Sequence, residues 1–308
     1  MGKIAFLFAG QGSQGTGMGR ALAEISNAAN RVFTMAEVLR PGTRSQCYGG
    51  SKEDLSITVN TQPCLFCVDL AAAEALRECG ISPYAVAGFS LGEIPALAFA
   101  GMLSMEDAFR LVCLRAQVMH ACTQGKDGGM MAVMGLPTEM VEAFCRESTE
   151  LFAVNYNCPG QLVVAGRKSK LAQLGDRVRE AGGRGIVLAV SGAFHSPDMV
   201  QAQVALQAYL EQTHLAAPAI PVYANLTARP YAPPYARALA SQAAQPVRWQ
   251  ETLENMAADG VTTFIEVGPG KTLSGFVRKT LPNVVALNVE DAESLMRTMD
   301  ALNGEKAC

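Results

Sequence analysis

The segment Gly88-Phe89-Ser90-Leu91-Gly92 sets a serine between two glycines, after the apolar run Tyr84–Gly88 and before a helical pattern beginning at Leu91. Strand, tight turn and helix in that order make a nucleophile elbow. The glycines permit a sharp turn, and the helix N-terminus aims free N–H groups toward the serine oxygen. A hydroxyl held there can attack a carbonyl carbon. The Leu91 N–H, next along the chain, suits the oxyanion that forms. A serine at a helix start is also a good N-cap, so the motif alone leaves a structural role open.

A serine nucleophile needs a base, and the chain has three histidines. His120 ends the helical run Met105–Ala121, and His214 lies in the polar lead-in to Leu215-Ala216-Ala217-Pro218. His195 stands at a strand exit, in Val190-Ser191-Gly192-Ala193-Phe194-His195-Ser196-Pro197, before a new helix. That setting suits proton transfer. By elimination His195 is the candidate base, against a surface or capping role. Asp198, three residues on, fits the first turn of the new helix better than it fits orientation of the imidazole.

The elements that must carry these residues alternate. Ile4–Phe8 reads as a buried strand, with a helix from about Met18. A helix over Gln62–Glu78 precedes the strand Tyr84–Gly88, and strands at Val222–Ala224 and Thr263–Val267 follow later. Short apolar runs alternating with helical periodicity predict a parallel sheet flanked by helices. Between about Gly125 and Val190 the rhythm changes to strand, helix, two strands, helix and strand, the ferredoxin-like order. The expected fold is therefore α/β: a large α/β-hydrolase-like domain of residues 1–124 and 191–308, with an inserted ferredoxin-like α+β subdomain at 125–190. The Pro- and Ala-rich stretch Ala228–Gln245 reads as an ordered surface connection.

Composition narrows the function classes. The 308 residues are 49% hydrophobic and 17% charged, with a formal net charge of -3. That length can bury one large core and a smaller lobe. A near-neutral balance gives no footprint for nucleic acid. No apolar run reaches membrane-spanning length, and the start of the chain turns glycine-rich too early for a signal peptide. Phe6 stands where a myristoylation motif needs Ser or Thr. A cytoplasmic protein without a membrane partner is the expectation. Nine cysteines lie scattered, most in apolar runs, and reduced thiols are expected. Cys64 and Cys67 form a C-x-x-C inside a helical pattern, where packing outweighs redox chemistry, and no second pair stands at zinc spacing.

Five motifs now stand in order. They are Gly10-Gln11-Gly12-Ser13-Gln14, the serine elbow, Ala193-Phe194-His195-Ser196, Pro246-Val247-Arg248-Trp249 and Glu266-Val267-Gly268-Pro269-Gly270. Together they resemble the malonyl-CoA:acyl carrier protein transacylases, and they are similar to the acyltransferase domains of polyketide synthases. The resemblance covers nearly the whole chain. It implies a ping-pong exchange through an acyl ester on Ser90, with malonyl-CoA as substrate, acyl carrier protein as partner and no bound cofactor or metal. The phosphopantetheine thiol belongs to the carrier, and a monomer is expected.

The resemblance also distributes roles. Gln11 matches the residue whose N–H joins that of Leu91 in the oxyanion hole. Arg115 matches the arginine that grips the free malonyl carboxylate, a role suited to a planar fork of donors; taken alone it reads as part of a solvated helix face. The histidine is oriented by a main-chain carbonyl, assigned here to Arg248. Asn157 and Asn225 fall near positions lining the cleft, although structural asparagines at turns are common. Phe89 replaces the usual histidine of G-H-S-L-G, which bears on acyl selectivity. Phe194 fits the malonyl-selective pattern. Gly268-Pro269-Gly270 reads as a turn shaping the cleft, since the P-loop Lys-Ser/Thr is missing.

Other functions remain in view: a thioester hydrolase editing acyl carriers, and a non-catalytic carrier-binding subunit. An ordinary α/β-hydrolase esterase would carry its histidine nearer the C-terminus, after an acid. Lys271, Arg278 and Lys279 are candidates for carrier docking, against a solvated helix face. The five ordered motifs are shared by transacylases of fatty acid and of polyketide synthesis.

Overall fold

In Lys3–Phe8 every residue after the first is buried, without the alternation of a half-exposed strand. Such a strand must be covered on both faces, as in a parallel sheet between helices. The computed structural model describes residues 2–304 and shows that arrangement. Its strands are β1 (Lys3–Phe8), β2 (Ala85–Gly88), β3 (Gly128–Met134), β4 (Leu151–Cys158), β5 (Gln161–Arg167), β6 (Arg184–Val187), β7 (Val222–Tyr223), β8 (Val261–Val267) and β9 (Val285–Val289).

Five of them form one parallel sheet in the order β7-β2-β1-β8-β9. Period-2 alternation divides its side chains between two cores. Phe6, Phe8 and Val86 face the core that holds the helix Thr58–Glu78. Ala5, Leu7 and Ala87 face the one built on Trp249, Leu253 and Phe276. The helix Thr58–Glu78 is buried nearly all round, which its mixed Ala, Leu, Cys and Phe faces require. It starts a turn before the expected Gln62 and carries Pro63 in its second turn, where the missing N–H leaves the Val59 carbonyl without its helical partner. Cys64 and Cys67 both pack inside it, fully buried.

The other four strands form a separate antiparallel sheet, order β4-β5-β3-β6. Helices Thr138–Arg146 and Lys168–Glu180 pack with Met131, Val133 and Val164 on one face. The alternate residues Met130, Ala132, Val163 and Ala165 join the larger core. This sheet therefore leans directly on the unit that carries the elbow.

One sequence expectation is corrected. The stretch Ala228–Gln245 is no surface connection along its length. It contains the helix Tyr235–Ser241, and Leu239, Ala240 and Gln242–Ala244 are buried. Small alanines let it pack closely on the helix Val200–Leu210. Strand β9, unanticipated, sits at the sheet edge, where partial burial blurs its alternation. Arg278 and Lys279 lie in the last turn of the helix Thr272–Thr280, where cations complement the helix dipole. No described helix is long and apolar enough to cross a membrane. Among the described residues no group of three or more His, Cys, Asp or Glu is arranged to hold a metal ion.

Candidate active site

Ser90 sits at φ +54°, in the left-handed region that a non-glycine residue enters at a cost of about 1–2 kcal/mol. The turn is held from both sides of the peptide. The Ser90 N–H donates to Asn225 Oδ1 at 2.7 Å, and the Ser90 carbonyl accepts from Gln242 Nε2 at 2.6 Å. Neither flanking glycine has room for a side chain. A Cβ on Gly88 would lie 1.9 Å from the Gly92 carbonyl carbon, and one on Gly92 would lie 2.3 Å from the Phe8 carbonyl oxygen. Leu91 follows in a 3-10 turn that runs into the helix Glu93–Phe99, so its N–H lies at a helix start.

His195 also has a positive φ, +62°, and its Nε2 lies 2.6 Å from Ser90 Oγ. Two carbonyl oxygens, of Gln242 at 3.0 Å and Gln245 at 3.1 Å, face its Nδ1. Two acceptors there fix the proton on Nδ1 and leave Nε2 to accept from the serine hydroxyl. The assignment of this contact to Arg248 is corrected. The Arg248 carbonyl accepts from the Thr252 N–H and hydroxyl inside the helix Trp249–Ala258, which it begins, and its guanidinium pairs with Glu251. Asp198 makes no contact with the imidazole and lies 3.9 Å from Lys126.

Burial, with the nearby Arg115 charge, pulls the His195 pKa down to about 4 despite the two carbonyls that raise it. The ring is therefore neutral, and able to take a proton, throughout the neutral range. With an uncharged acyl donor, kcat/KM is expected to stay flat down to about pH 5 and to halve near pH 4. A pH–rate profile checks this. An inflection near pH 7 would instead assign the ionisation to buried Glu93, whose pKa burial pushes up to about 7.

Arg115, on the helix Met105–Thr123, is not on a solvated face: it is 2% exposed. Its Nη1 donates to Gln62 Oε1 at 2.9 Å, while Nη2 reaches Gln242 Oε1 at 3.0 Å and Ser90 Oγ at 3.2 Å. Burial lowers its pKa to about 10, which leaves it cationic at neutral pH. No direct carboxylate partner is found for it among the described ion pairs; its contacts are neutral oxygens. A buried cation solvated only by neutral groups favours an incoming anion.

Ser90, His195 and Arg115 meet in a cavity of about 70 Å³, closed by Phe194, Phe89 and Gln11 among others. Gln11, Phe89 and Asn155 also wall a cleft of about 210 Å³ that Asn157 helps to line. The amide oxygens of Asn155 and Asn157 are buried without a protein partner among the described residues. The Phe89 ring packs edge-on against Trp249 at 5.3 Å between centroids. Asn225 lines neither space. It is fully buried behind the elbow, bonding Ser90 N, the Gly88 carbonyl and Glu93, so its expected place on the cleft is corrected.

Sequence reasoning missed Gln62, Gln242, Asn155 and the carbonyl of Gln245. Neutral amides and main-chain oxygens form no motif; the burial of the helix holding Gln62 was the one signal on hand.

The acyl transferase domain family model matches residues 5–301. The malonyl CoA-acyl carrier protein transacylase of Bacillus subtilis is 38% identical, over 99% of both chains. The crystal structure of malonyl CoA-acyl carrier protein transacylase from Clostridium perfringens superposes with a TM-score of 0.95 at 34% identity, covering 99% of this chain and 98% of that one. A malonyl-transacylase solved in complex with its type II PKS acyl-carrier protein gives a TM-score of 0.93 at 34% identity, covering 97% and 99%.

Proposed function

The chain belongs to the acyl transferase domain family, and we propose that within it this enzyme moves malonyl groups from coenzyme A to the phosphopantetheine thiol of acyl carrier protein. The observation that carries this reading is a buried guanidinium 3.2 Å from the nucleophile oxygen. It suits an acyl group that ends in a carboxylate and ill suits a neutral one.

The chemistry follows from the contacts. His195 Nε2 takes the Ser90 proton as the oxygen attacks the malonyl thioester carbon. The Leu91 and Gln11 N–H groups stabilise the tetrahedral oxyanion, worth about 3–4 kcal/mol for one donor. The intermediate expels the coenzyme A thiolate, which takes the proton from His195. The carrier thiol then repeats these steps on the Ser90 ester and regenerates the free serine. The two carbonyls at Nδ1 hold the ring in the tautomer that both half-reactions need. Asn157 faces the cleft by which the pantetheine arm approaches, and Phe89 and Phe194 bound the acyl space.

The strand order β4-β5-β3-β6 supports a ferredoxin-like insert, which we place at residues 125–190 of a unit read as hydrolase-like over 1–124 and 191–308. We read the enzyme as a cytoplasmic monomer that needs no cofactor. Incubation with malonyl-CoA is expected to give an intact-mass malonyl adduct at Ser90, which added carrier protein then removes as malonyl-carrier. Release of free malonate as the sole product would mark a hydrolase. Absence of the adduct would overturn the reading.

A further inference from the structure

Gln242 touches three parts of the site at once. Its Nε2 donates to the Ser90 carbonyl at 2.6 Å, its Oε1 accepts from Arg115 Nη2 at 3.0 Å, and its main-chain oxygen faces His195 Nδ1 at 3.0 Å. The side chain is 2% exposed, so water offers no substitute partner. Its amide cannot turn over: a flip would set N–H against the guanidinium and oxygen against the Ser90 carbonyl. Glu93 Oε2 stands behind it, 3.4 Å from Nε2, and accepts the Asn225 N–H at 3.0 Å. The Glu93 carboxylate also accepts from the Tyr231 hydroxyl, so this backing is itself fixed.

The geometry matters because a malonyl group must fit at two points. Its thioester carbon and its free carboxylate are joined through a single methylene, so the Ser90 oxygen and the Arg115 guanidinium must keep a set separation. An acetyl group makes only the first contact. We propose that the Gln242 side chain is a positioning residue that fixes Arg115 relative to the Ser90 backbone and thereby sets the preference for malonyl over uncharged acyl groups. This rests on the malonyl-transfer reading above. The main-chain carbonyl toward His195 survives any substitution, which isolates the amide head.

Gln242→Met keeps the length and apolar stem and removes both bonds. The measurement is single-turnover loading of Ser90 from malonyl-CoA and, separately, from acetyl-CoA. Loss of the Ser90 carbonyl bond slows both donors alike and cancels in their ratio, as does any loss of folded protein. The malonyl-to-acetyl ratio is expected to fall about tenfold, the effect of one hydrogen bond to a charged group. In an Arg115→Ala background the same substitution is expected to leave the ratio unchanged, because coupled residues are not additive. Gln242→Asn, whose shorter amide cannot span both partners, is expected to lower the ratio as well and serves should the Met variant not fold. A ratio unchanged by either variant, or equally changed without Arg115, overturns the assignment. A wild-type chain that loads no malonyl overturns the function reading, and this assignment falls with it.

Discussion

Ser90→Ala is expected to yield a folded protein that takes up no malonyl group and transfers it about 10⁵–10⁶ times more slowly. The size of the effect follows from what the hydroxyl does. It is the atom to be acylated, and it lies 2.6 Å from His195 Nε2 in a cavity with room for little besides the acyl group. Water could replace the serine only as a poorly placed nucleophile, and the product would then be malonate. Stability should hardly move. Alanine suffers the same left-handed strain at φ +54° as serine, and the turn is held through backbone bonds to Asn225 and Gln242 that the substitution leaves in place. Intact mass after exposure to malonyl-CoA, with a thermal melt beside it, checks both halves. A surviving covalent adduct would assign the nucleophile elsewhere.

Arg115→Ala is the second large effect, and its signature is selectivity. Two charge-assisted bonds to the malonyl carboxylate, together about 3–4 kcal/mol, correspond to a loss of about 10²–10³-fold in malonyl kcat/KM. The carboxylate would then lie in a buried space facing amide oxygens of Gln62 and Gln242 freed of their donor, so nothing there compensates it. Acetyl transfer is expected to hold or rise, because removing the guanidinium also removes a charge that lowers the basicity of His195. Parallel measurement with malonyl- and acetyl-CoA decides it. Equal loss for both donors would assign Arg115 to the fold alone.

The parts of this site that were legible in the sequence are those whose chemistry needs a particular residue type at a particular turn. An apolar strand, a glycine-flanked serine and a following helix point to the elbow, although an N-cap serine would fit the same pattern until the base is found. His195 stood out as the histidine at a strand exit. Arg115 was visible only through family resemblance; its own helix gave no sign that it turns inward. What supports these groups left no trace. The carbonyls that face the imidazole come from Gln242 and Gln245, and any residue supplies a carbonyl, so assignment by motif put the contact on nearby Arg248. Gln242 was hidden in an alanine-rich stretch that reads as solvent-exposed when its packing partner, the helix Val200–Leu210, is not considered. The same limit acted on the fold. Strongly buried strands such as β1 were plain, whereas edge strand β9 needed its neighbour to be recognised.

The amide that holds the Ser90 carbonyl lies 152 residues farther along the chain, and the imidazole lies 105 residues farther. A ribosome adding about 5–20 residues per second needs roughly 8–30 s to span the longer gap. For the first 105 of those residues the emerging elbow lacks its base, and for all 152 it lacks its brace. The serine thus has no proton acceptor until residue 195 of 308 has been added. Reactivity at Ser90 therefore waits on segments made well after it, and the elbow alone is not a reactive site.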